Sequence, residues 1–283
     1  MPECTHDCST CGESCGERTE PFDFRAPANP HANVKKVIAV MSGKGGVGKS
    51  LVTASLAAAV QRRGKQAAIL DADITGPSIP KAFGAHTRAM GNEDGILPIH
   101  TPSGLKLMSL NFLVEDETDP VVWRGSLIAG TVKQFWSEVQ WGDVDYLFVD
   151  MPPGTGDEAI SIIQLIPKAD GGVIVTTPQD VSLLDSRKSI TFFAEANIPI
   201  IGLVENMSGF VCPHCGEVTD IFKSGGGAAT AAEFDIQFLG KVPIEPAIVA
   251  SGDSGMPVVI SNPDSASAKA FEEITEKIVK TVG

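Results

Sequence analysis

Residues 43 to 50 read Gly43-Lys44-Gly45-Gly46-Val47-Gly48-Lys49-Ser50. They follow an apolar run, Val37 to Met41, that is typical of a buried strand, and they precede an Ala-rich segment, Leu51 to Arg63, that predicts a helix. Between a strand and a helix, this octet has the pattern of a phosphate-binding loop. Its glycines allow backbone N–H groups to converge on a phosphate, and the helix N-terminus adds a partial positive charge.

The same octet predicts how a nucleotide is held. We expect residues Gly43 to Leu51 to contact it, with Lys49 reaching the β- and γ-phosphates and the Ser50 hydroxyl binding Mg²⁺. A glycine-rich helix start that forms only a tight turn would not require a Lys-Ser pair at this spacing.

Composition limits the class of protein. The 283 residues, 43% of them hydrophobic, suit one large α/β domain or one domain with extensions. The formal net charge of −13 argues against a broad nucleic-acid surface, which needs clustered Lys and Arg. No apolar run approaches the ~18 residues of a membrane span, and the N-terminus does not resemble a secretory signal. We therefore expect a cytoplasmic protein with no membrane partner, in which six cysteines are metal ligands rather than disulfides.

The first twenty residues have the composition of a separate Cys-rich tail. They carry four cysteines spaced C-x₃-C-x₂-C-x₃-C, namely Cys4, Cys8, Cys11 and Cys15. Such a polar stretch cannot bury a core, so a metal or cluster would be needed to fold it. Four thiolates suit a [4Fe–4S] cluster or zinc, and an unligated tail stays open as well. Pro-containing residues 21–33 predict a linker, and residues 34–283 the main domain.

Acidic residues follow two further apolar runs. Asp71 and Asp73 come after Gln66 to Leu70, and Asp150 comes after Asp145 to Val149. The carboxyl ends of strands are where α/β sheets place their ligands. Asp150 has the Walker B arrangement, which holds Mg²⁺ directly or through water. Asp71 and Asp73 fit a ligand-binding role but also fit ordinary loop or cap positions.

The whole chain alternates apolar runs with helical patterns. About seven strands alternate with helices, which predicts a doubly wound, mostly parallel α/β sheet with both faces covered. Residues 95–98 and 105–110 suggest a hairpin or an edge insertion. The strand that starts near Ile198 is expected to end before Glu205-Asn206-Met207.

A second candidate site is the C-x-x-C pair Cys212 and Cys215, in a predicted insertion at 207–223. One such pair is ambiguous between a redox dithiol, half a zinc site and half a cluster site. A two-fold dimer would bring two pairs together, because the same patch meets itself across the axis. The four thiolates would then suffice for a bridging [4Fe–4S] cluster. His214 lies between the cysteines, and we expect it not to be a ligand.

Several of these motifs resemble one superclass of P-loop proteins. Lys44, directly after the first glycine, resembles the signature lysine of the deviant Walker A group, which includes MinD, ParA, the nitrogenase iron protein and the Mrp/ApbC-type iron–sulfur carriers. Residues 71–78 resemble switch I of the Mrp type, and residues 150–157 its Walker B and switch II. The position of the C-x-x-C pair just after Asn206 also matches the Mrp/ApbC carriers. The resemblance covers residues 34–282.

The resemblance implies roles for particular residues. Lys44 would cross a dimer interface to the partner's nucleotide, Asp73 would orient the attacking water, and Asp71 would act through the Mg²⁺ shell. Gly154 would lie close to the γ-phosphate. The adenine base would be contacted by residues near two later strand ends, namely Asn206, Pro243 and Ile244.

The function implied is that of an ATP-binding and hydrolysing scaffold or carrier. It would assemble a labile [4Fe–4S] cluster at a homodimer interface and pass it to recipient apoproteins, after delivery by an iron or cluster donor. One alternative is a ParA/MinD-like dimerisation switch with a structural zinc site. Another is an ATP-driven electron donor like the nitrogenase iron protein, whose cluster ligands lie singly in separate loops.

Overall fold

The computed structural model describes residues 26–73, 76, 78–114, 125–165 and 169–283. The four cysteines of the N-terminal tail lie outside the described residues. The predicted linker is described from residue 26 onward. There the Trp136 indole N–H donates to the Ala26 carbonyl, and the Asn29 amide donates to the carbonyls of Asp94 and Glu138. Residues 26–31 therefore pack against the main domain.

The described chain alternates strands and helices. The strands are β1 (Ala32–Ser42), β2 (Ala67–Asp71), β3 (Gly91–Asn92), β4 (Gly95–Ile96), β5 (Ile99–His100), β6 (Lys106–Met108), β7 (Gly142–Asp150), β8 (Gly171–Thr176), β9 (Ile200–Val211), β10 (Val218–Thr219) and β11 (Phe238–Ile244). The α-helices are α1 (Lys49–Arg62), α2 (Ile79–Ala82), α3 (Gly125–Ser137), α4 (Asp157–Leu165), α5 (Asp180–Glu195), α6 (Gly226–Glu233), α7 (Pro246–Ser254), α8 (Val258–Ser261) and α9 (Ala266–Val282). A 3₁₀ turn spans Leu110–Phe112.

Within the described residues, the main sheet has nine strands in the order β10-β9-β8-β1-β7-β2-β6-β5, with β11 also paired to β9. All pairs are parallel except β9 with β10 and β5 with β6. The antiparallel β5–β6 pair and the β3–β4 hairpin occupy the region in which a hairpin or edge insertion was predicted. The predicted α/β fold with a mostly parallel sheet is confirmed.

Helices cover both faces of the sheet. Side chains of β1 alternate between two cores: Ile38 and Val40 pack with α1, α8 and α9, whereas Ala39 and Met41 pack with α3, α4 and α5. A central parallel strand must be apolar on both faces because each face is covered. Among the described helices, none is both long and apolar enough to cross a lipid bilayer.

The register of the sheet brings three strand ends together. In the pairing of β1 with β7, Val40 is opposite Asp150, and in that of β2 with β7, Asp71 is opposite Asp150. The loop after β1 therefore lies beside two carboxylates that are distant in sequence.

Strand β9 differs from the prediction. It does not end before Glu205 but runs to Val211, and it pairs with β11 as far as Phe210 and with β10 at Phe210 and Val211. Met207 and Gly209 adopt positive φ angles of 57° and 82°, so the strand continues through an irregular stretch rather than stopping. Asn206 consequently lies inside a strand, and the first five residues of the predicted 207–223 insertion belong to the sheet.

Candidate nucleotide and cysteine sites

The loop of residues 43–50 turns directly from β1 into α1. Gly46 and Gly48 have φ angles of 81° and 83°, and Gly48 is the N-cap of the helix. Gly43 is required for a different reason. A Cβ at that position would lie 2.3 Å from the backbone carbonyl of Asp185 in α5. The loop is thus held between its own helix and α5, with glycine where φ is positive, at Gly46 and Gly48, and where a Cβ would collide with α5, at Gly43.

Lys49 is buried at the base of this loop, with 6% of its side chain exposed. Its Nζ lies 2.8 Å from Asp150 Oδ2 and 3.5 Å from Asp73 Oδ2. Burial by itself would lower the pKa of Lys49. The nearby charges of Asp150 and Asp73, with the hydrogen bond to Asp150, outweigh burial and raise the pKa above its ordinary value. The lysine is therefore a positive charge ready to meet phosphate.

Asp150 is fully buried and both of its carboxylate oxygens accept hydrogen bonds. Ser50 Oγ donates to Oδ2 at 2.5 Å, and Thr53 Oγ1 lies 2.7 Å from Oδ1. The Ser50 hydroxyl, at the end of the nucleotide loop, therefore faces the strand-end carboxylate of Asp150, which is the arrangement predicted for a Mg²⁺ site.

Asp71 is buried on the neighbouring strand. It accepts a hydrogen bond from Ser109 Oγ at 3.0 Å and one from the backbone N–H of Asp73 at 3.2 Å. Burial, followed by the like charge of Asp150, raises the pKa of Asp71 well above its ordinary value. Two adjacent buried carboxylates and a hydroxyl form an all-oxygen donor set, and such a set fits a hard divalent cation such as Mg²⁺.

A cavity of about 280 Å³ lies above the loop. Its lining includes six predicted nucleotide-site residues from Gly45 to Leu51, together with Asp73, Gly76, Ser78 and Pro153. Gly154 lies beside it, where its N–H donates to the Ser42 carbonyl at 2.8 Å and its φ is 85°. The two predicted switch segments therefore border the same space as the phosphate-binding loop.

Asn206 also reaches the loop. Its side chain is buried, and Nδ2 donates to the Val47 carbonyl at 2.8 Å. In the pairing of β9 with β11, Asn206 is opposite Val242, so half-buried Pro243 and Ile244 follow directly beside it. The structure thus brings the three residues predicted to contact a base to one flank of the phosphate site.

Lys44 is half-buried and differs from Lys49 in its contacts. The Ser42 hydroxyl donates to its backbone carbonyl at 3.0 Å. Its ammonium group forms no ion pair with any of the described residues. Within the described part of the chain, no carboxylate therefore neutralises this charge.

Cys212 and Cys215 lie in a tight turn between β9 and β10. The Cys212 N–H donates to the Glu217 carbonyl at 2.9 Å, and the Gly216 N–H donates to the Cys212 carbonyl at 2.9 Å. Hydrogen bonds from the backbones of His214 and then Cys215, and from the Cys215 side chain, lower the pKa of the Cys212 thiol. Cys215 is exposed and Cys212 partly so. The turn thus places two free thiols at the protein surface, where a metal ion or cluster could reach them.

No third ligand joins the pair among the residues that the structure describes. Across the described ranges, no group of three or more His, Cys, Asp or Glu side chains is placed to hold a metal ion.

The sequence reasoning did not identify three contributing residues. Thr53 contacts Asp150, Ser109 contacts Asp71, and Glu205 accepts hydrogen bonds from Ser208 and from the backbone at Gly225 and Gly227. For Thr53 a signal existed, since it lies three residues after Ser50 and hence on the same side of the helix. Ser109 and Glu205 fall in apolar stretches without a motif.

A glycine-rich loop between β1 and α1, a buried lysine and a strand-end carboxylate in a doubly wound sheet define a P-loop NTPase. The family model for the ParA-type NUBPL iron-transfer P-loop NTPases matches residues 33–279. The chain belongs to this family, as the motif resemblance predicted.

Comparisons with individual proteins agree. The chain is 46% identical over 288 residues to an iron–sulfur cluster carrier protein of Methanocaldococcus jannaschii, with 100% of this chain and 98% of that protein covered. A nucleotide-binding protein of Archaeoglobus fulgidus, solved in complex with ADP, is 40% identical with a TM-score of 0.71, over 80% of this chain and 88% of its own. MinD of Pyrococcus horikoshii, solved with Mg-ADP, has a TM-score of 0.64 at 22% identity over 88% of this chain and 98% of its own, and shares the fold.

Proposed function

We propose that this protein is an iron–sulfur cluster carrier whose dimer binds and hydrolyses ATP. The observation that carries the proposal is the course of β9. The strand holds Asn206 against the phosphate-binding loop and ends in the exposed Cys212–Cys215 turn. A nucleotide site and a pair of thiol ligands are therefore joined by six residues of one strand. The likeness to a protein named as an iron–sulfur cluster carrier supports the same reading.

At the nucleotide site, the chain's own groups position the triphosphate. Lys49 neutralises phosphate charge, and the backbone N–H groups from Gly43 to Leu51 surround the phosphates. Ser50, Asp150 and Asp71 supply the oxygens for Mg²⁺, which when bound neutralises charge on the phosphate oxygens. Asp73, at the rim of the cavity, orients the attacking water.

Lys44 acts across the dimer. Its ammonium is without an ion-pair partner among the described residues, as expected of a charge that meets the partner's nucleotide. Lys44→Ala should therefore abolish ATP-induced dimerisation, followed by sedimentation, while ADP binding by the monomer stays within about twofold. If Lys44→Ala still dimerises with ATP, Lys44 does not act at the dimer interface.

At the cluster site, each chain contributes Cys212 and Cys215. Two chains related by a two-fold axis contribute four thiolates, the number that holds a [4Fe–4S] cluster. A cluster shared between two exposed turns can leave when the chains separate, without unfolding of either chain. Recipient apoproteins and an iron or cluster donor complete the cycle, and we place it in the cytoplasm, without a nucleic-acid or membrane partner.

The test is iron, sulfide and zinc content per dimer after anaerobic reconstitution. The background is the full chain with all four tail cysteines replaced by serine, namely Cys4, Cys8, Cys11 and Cys15. We expect about four irons and four sulfides per dimer. They should be lost with Cys215→Ser and retained with the matched change His214→Ala. An unchanged iron content after Cys215→Ser would refute the assignment of the cluster to the Cys212–Cys215 pair.

The same measurement separates the alternatives. Extra iron on the chain with its tail cysteines intact would assign a second cluster to the tail. Zinc without iron on both forms would make the cysteines structural and favour a nucleotide-dependent dimerisation switch.

A further inference from the structure

We infer that Thr53 is a positioning residue of the magnesium site, acting through Asp150. The inference rests on the proposed Mg²⁺–nucleotide function and adds a residue outside the phosphate-loop motif. Thr53 lies one helical turn into α1, and its side chain is fully buried. Its Oγ1 donates to Asp150 Oδ1 at 2.7 Å, and the Lys49 carbonyl oxygen is a longer second acceptor at 3.0 Å.

The contacts of Asp150 divide between its two oxygens. Oδ2 accepts from Ser50 Oγ and pairs with the Lys49 ammonium, on the side of the nucleotide cavity. Oδ1 is the oxygen next to the Thr53 hydroxyl. A carboxylate bonded at one oxygen only can rotate about its terminal torsion, which is broad and roughly two-fold. A bond at each oxygen fixes the plane of the group and keeps Oδ2 directed toward Ser50.

The orientation of Asp150 in turn fixes that of the Ser50 hydroxyl. A serine hydroxyl has one proton and two lone pairs. When Ser50 gives its proton to Asp150, its lone pairs are left for a cation. The Thr53 hydroxyl thus fixes the orientation of the Asp150 carboxylate, and this carboxylate fixes the orientation of the Ser50 hydroxyl, which binds Mg²⁺. Outer contacts of this kind change metal affinity by about 10–100-fold when they are removed.

The same helix offers a matched control. Ser55 is fully buried two residues further along, and within the described structure its hydroxyl has no hydrogen-bond partner. Replacing it removes a buried hydroxyl from α1 without touching Asp150. If Thr53 served only to pack the helix, loss of either hydroxyl would have a comparable effect on nucleotide binding.

The experiment is calorimetric titration of the full chain with ADP, in excess Mg²⁺ and in a chelator. The measured quantity is the ratio of the two affinities. We expect Thr53→Val to reduce this ratio by about tenfold while ADP affinity in chelator stays within about twofold. Thr53→Ser, which keeps the hydroxyl, and Ser55→Ala should both retain the wild-type ratio.

A double-mutant cycle with Asp150→Asn tests whether the effect of Thr53 on Mg²⁺ binding passes through the Asp150 carboxylate. Because Thr53 acts through this carboxylate, Thr53→Val should have no additional effect on the ratio once the carboxylate is replaced. Urea unfolding of every variant without ligand comes first, and if Thr53→Val does not fold, Thr53→Ala takes its place.

Two results would overturn the inference. One is an unchanged ratio in Thr53→Val, and the other is an equal loss of ADP affinity with and without Mg²⁺. A wild-type protein whose ADP binding does not respond to Mg²⁺ would overturn the inference together with the magnesium part of the proposed function. Reconstitution of the cluster tests the cysteine part independently.

Discussion

Replacing Glu205 by Gln should destabilise this protein by about 2–4 kcal/mol. Glu205 is fully buried in β9, next to Asn206. Its carboxylate accepts from Ser208 Oγ at 2.5 Å, from the Gly225 N–H at 2.9 Å and from the Gly227 N–H. Gly225 is the N-cap of α6, so the charge also lies at the positive end of a helix.

The magnitude follows from counting acceptors. Glutamine has the same shape but only one side-chain oxygen, and its NH₂ group cannot accept a hydrogen bond. Whichever way the amide turns, the N–H of Gly225 or Gly227 faces another donor. A buried, unsatisfied N–H costs about 1–3 kcal/mol. Loss of a negative charge at a partly buried helix N-terminus adds up to about 2 kcal/mol.

The assay is urea denaturation followed by circular dichroism, with the slope m checked for constancy. Glu233→Gln is the matched control, because Glu233 ends the same helix, is exposed, and pairs with Arg187 at 2.7 Å on the surface. The midpoint of this variant should stay close to that of the wild type, since surface pairs contribute little. Equal midpoints for the two variants would refute the argument that the donors around Glu205 need two acceptor oxygens.

Two other changes test the nucleotide site itself. Gly43→Ala should destabilise the fold by about 2 kcal/mol or more and weaken ADP binding, because its Cβ would lie 2.3 Å from the Asp185 carbonyl. The urea midpoint of Gly45→Ala should match the wild type, since a Cβ there meets nothing within 4 Å, and an equal loss in both variants would contradict the steric argument. Asp71→Asn should stabilise the protein without Mg²⁺, because burial and then the charge of Asp150 raise the pKa of Asp71 and so disfavour its ionised form in the fold. Thermal unfolding should show a gain that is absent below the ordinary Asp pKa of about 3.9 and grows as the pH rises above it, and a constant gain at every pH would rule out ionisation as the cause.

The sequence by itself predicted the parts of the site that depend on consecutive residues. The octet Gly43 to Ser50 contains its own turn, helix start and lysine, so its conformation and chemistry are local. Asp71 and Asp150 could be placed near it because the carboxyl ends of parallel strands share one edge. The strands predicted at 37–41, 66–70 and 145–149 and the helix predicted at 51–63 were found close to their expected positions for the same reason, since hydrophobic periodicity is a local property.

The cysteine pair was likewise marked by consecutive residues. The sequence marked Cys212 and Cys215 as a ligand pair, and the fold puts them in an exposed turn. Whether a second chain completes their site is the question that reconstitution answers.

Only the tertiary structure decided which distant side chains hold the nucleotide loop and its carboxylates in place. Thr53 and Asp150 are 97 positions apart, and Asn206 and Val47 are 159 apart. Such contacts depend on strand order and register, and a shift of one residue in register would turn a side chain to the opposite face of the sheet. The length of β9 likewise depended on pairing with β10 and β11, which let it pass two positive-φ residues that locally favour a turn. Local patterns thus determined the chemistry of the nucleotide loop, whereas long-range pairing determined how its carboxylates are held and how it is joined to the cysteines.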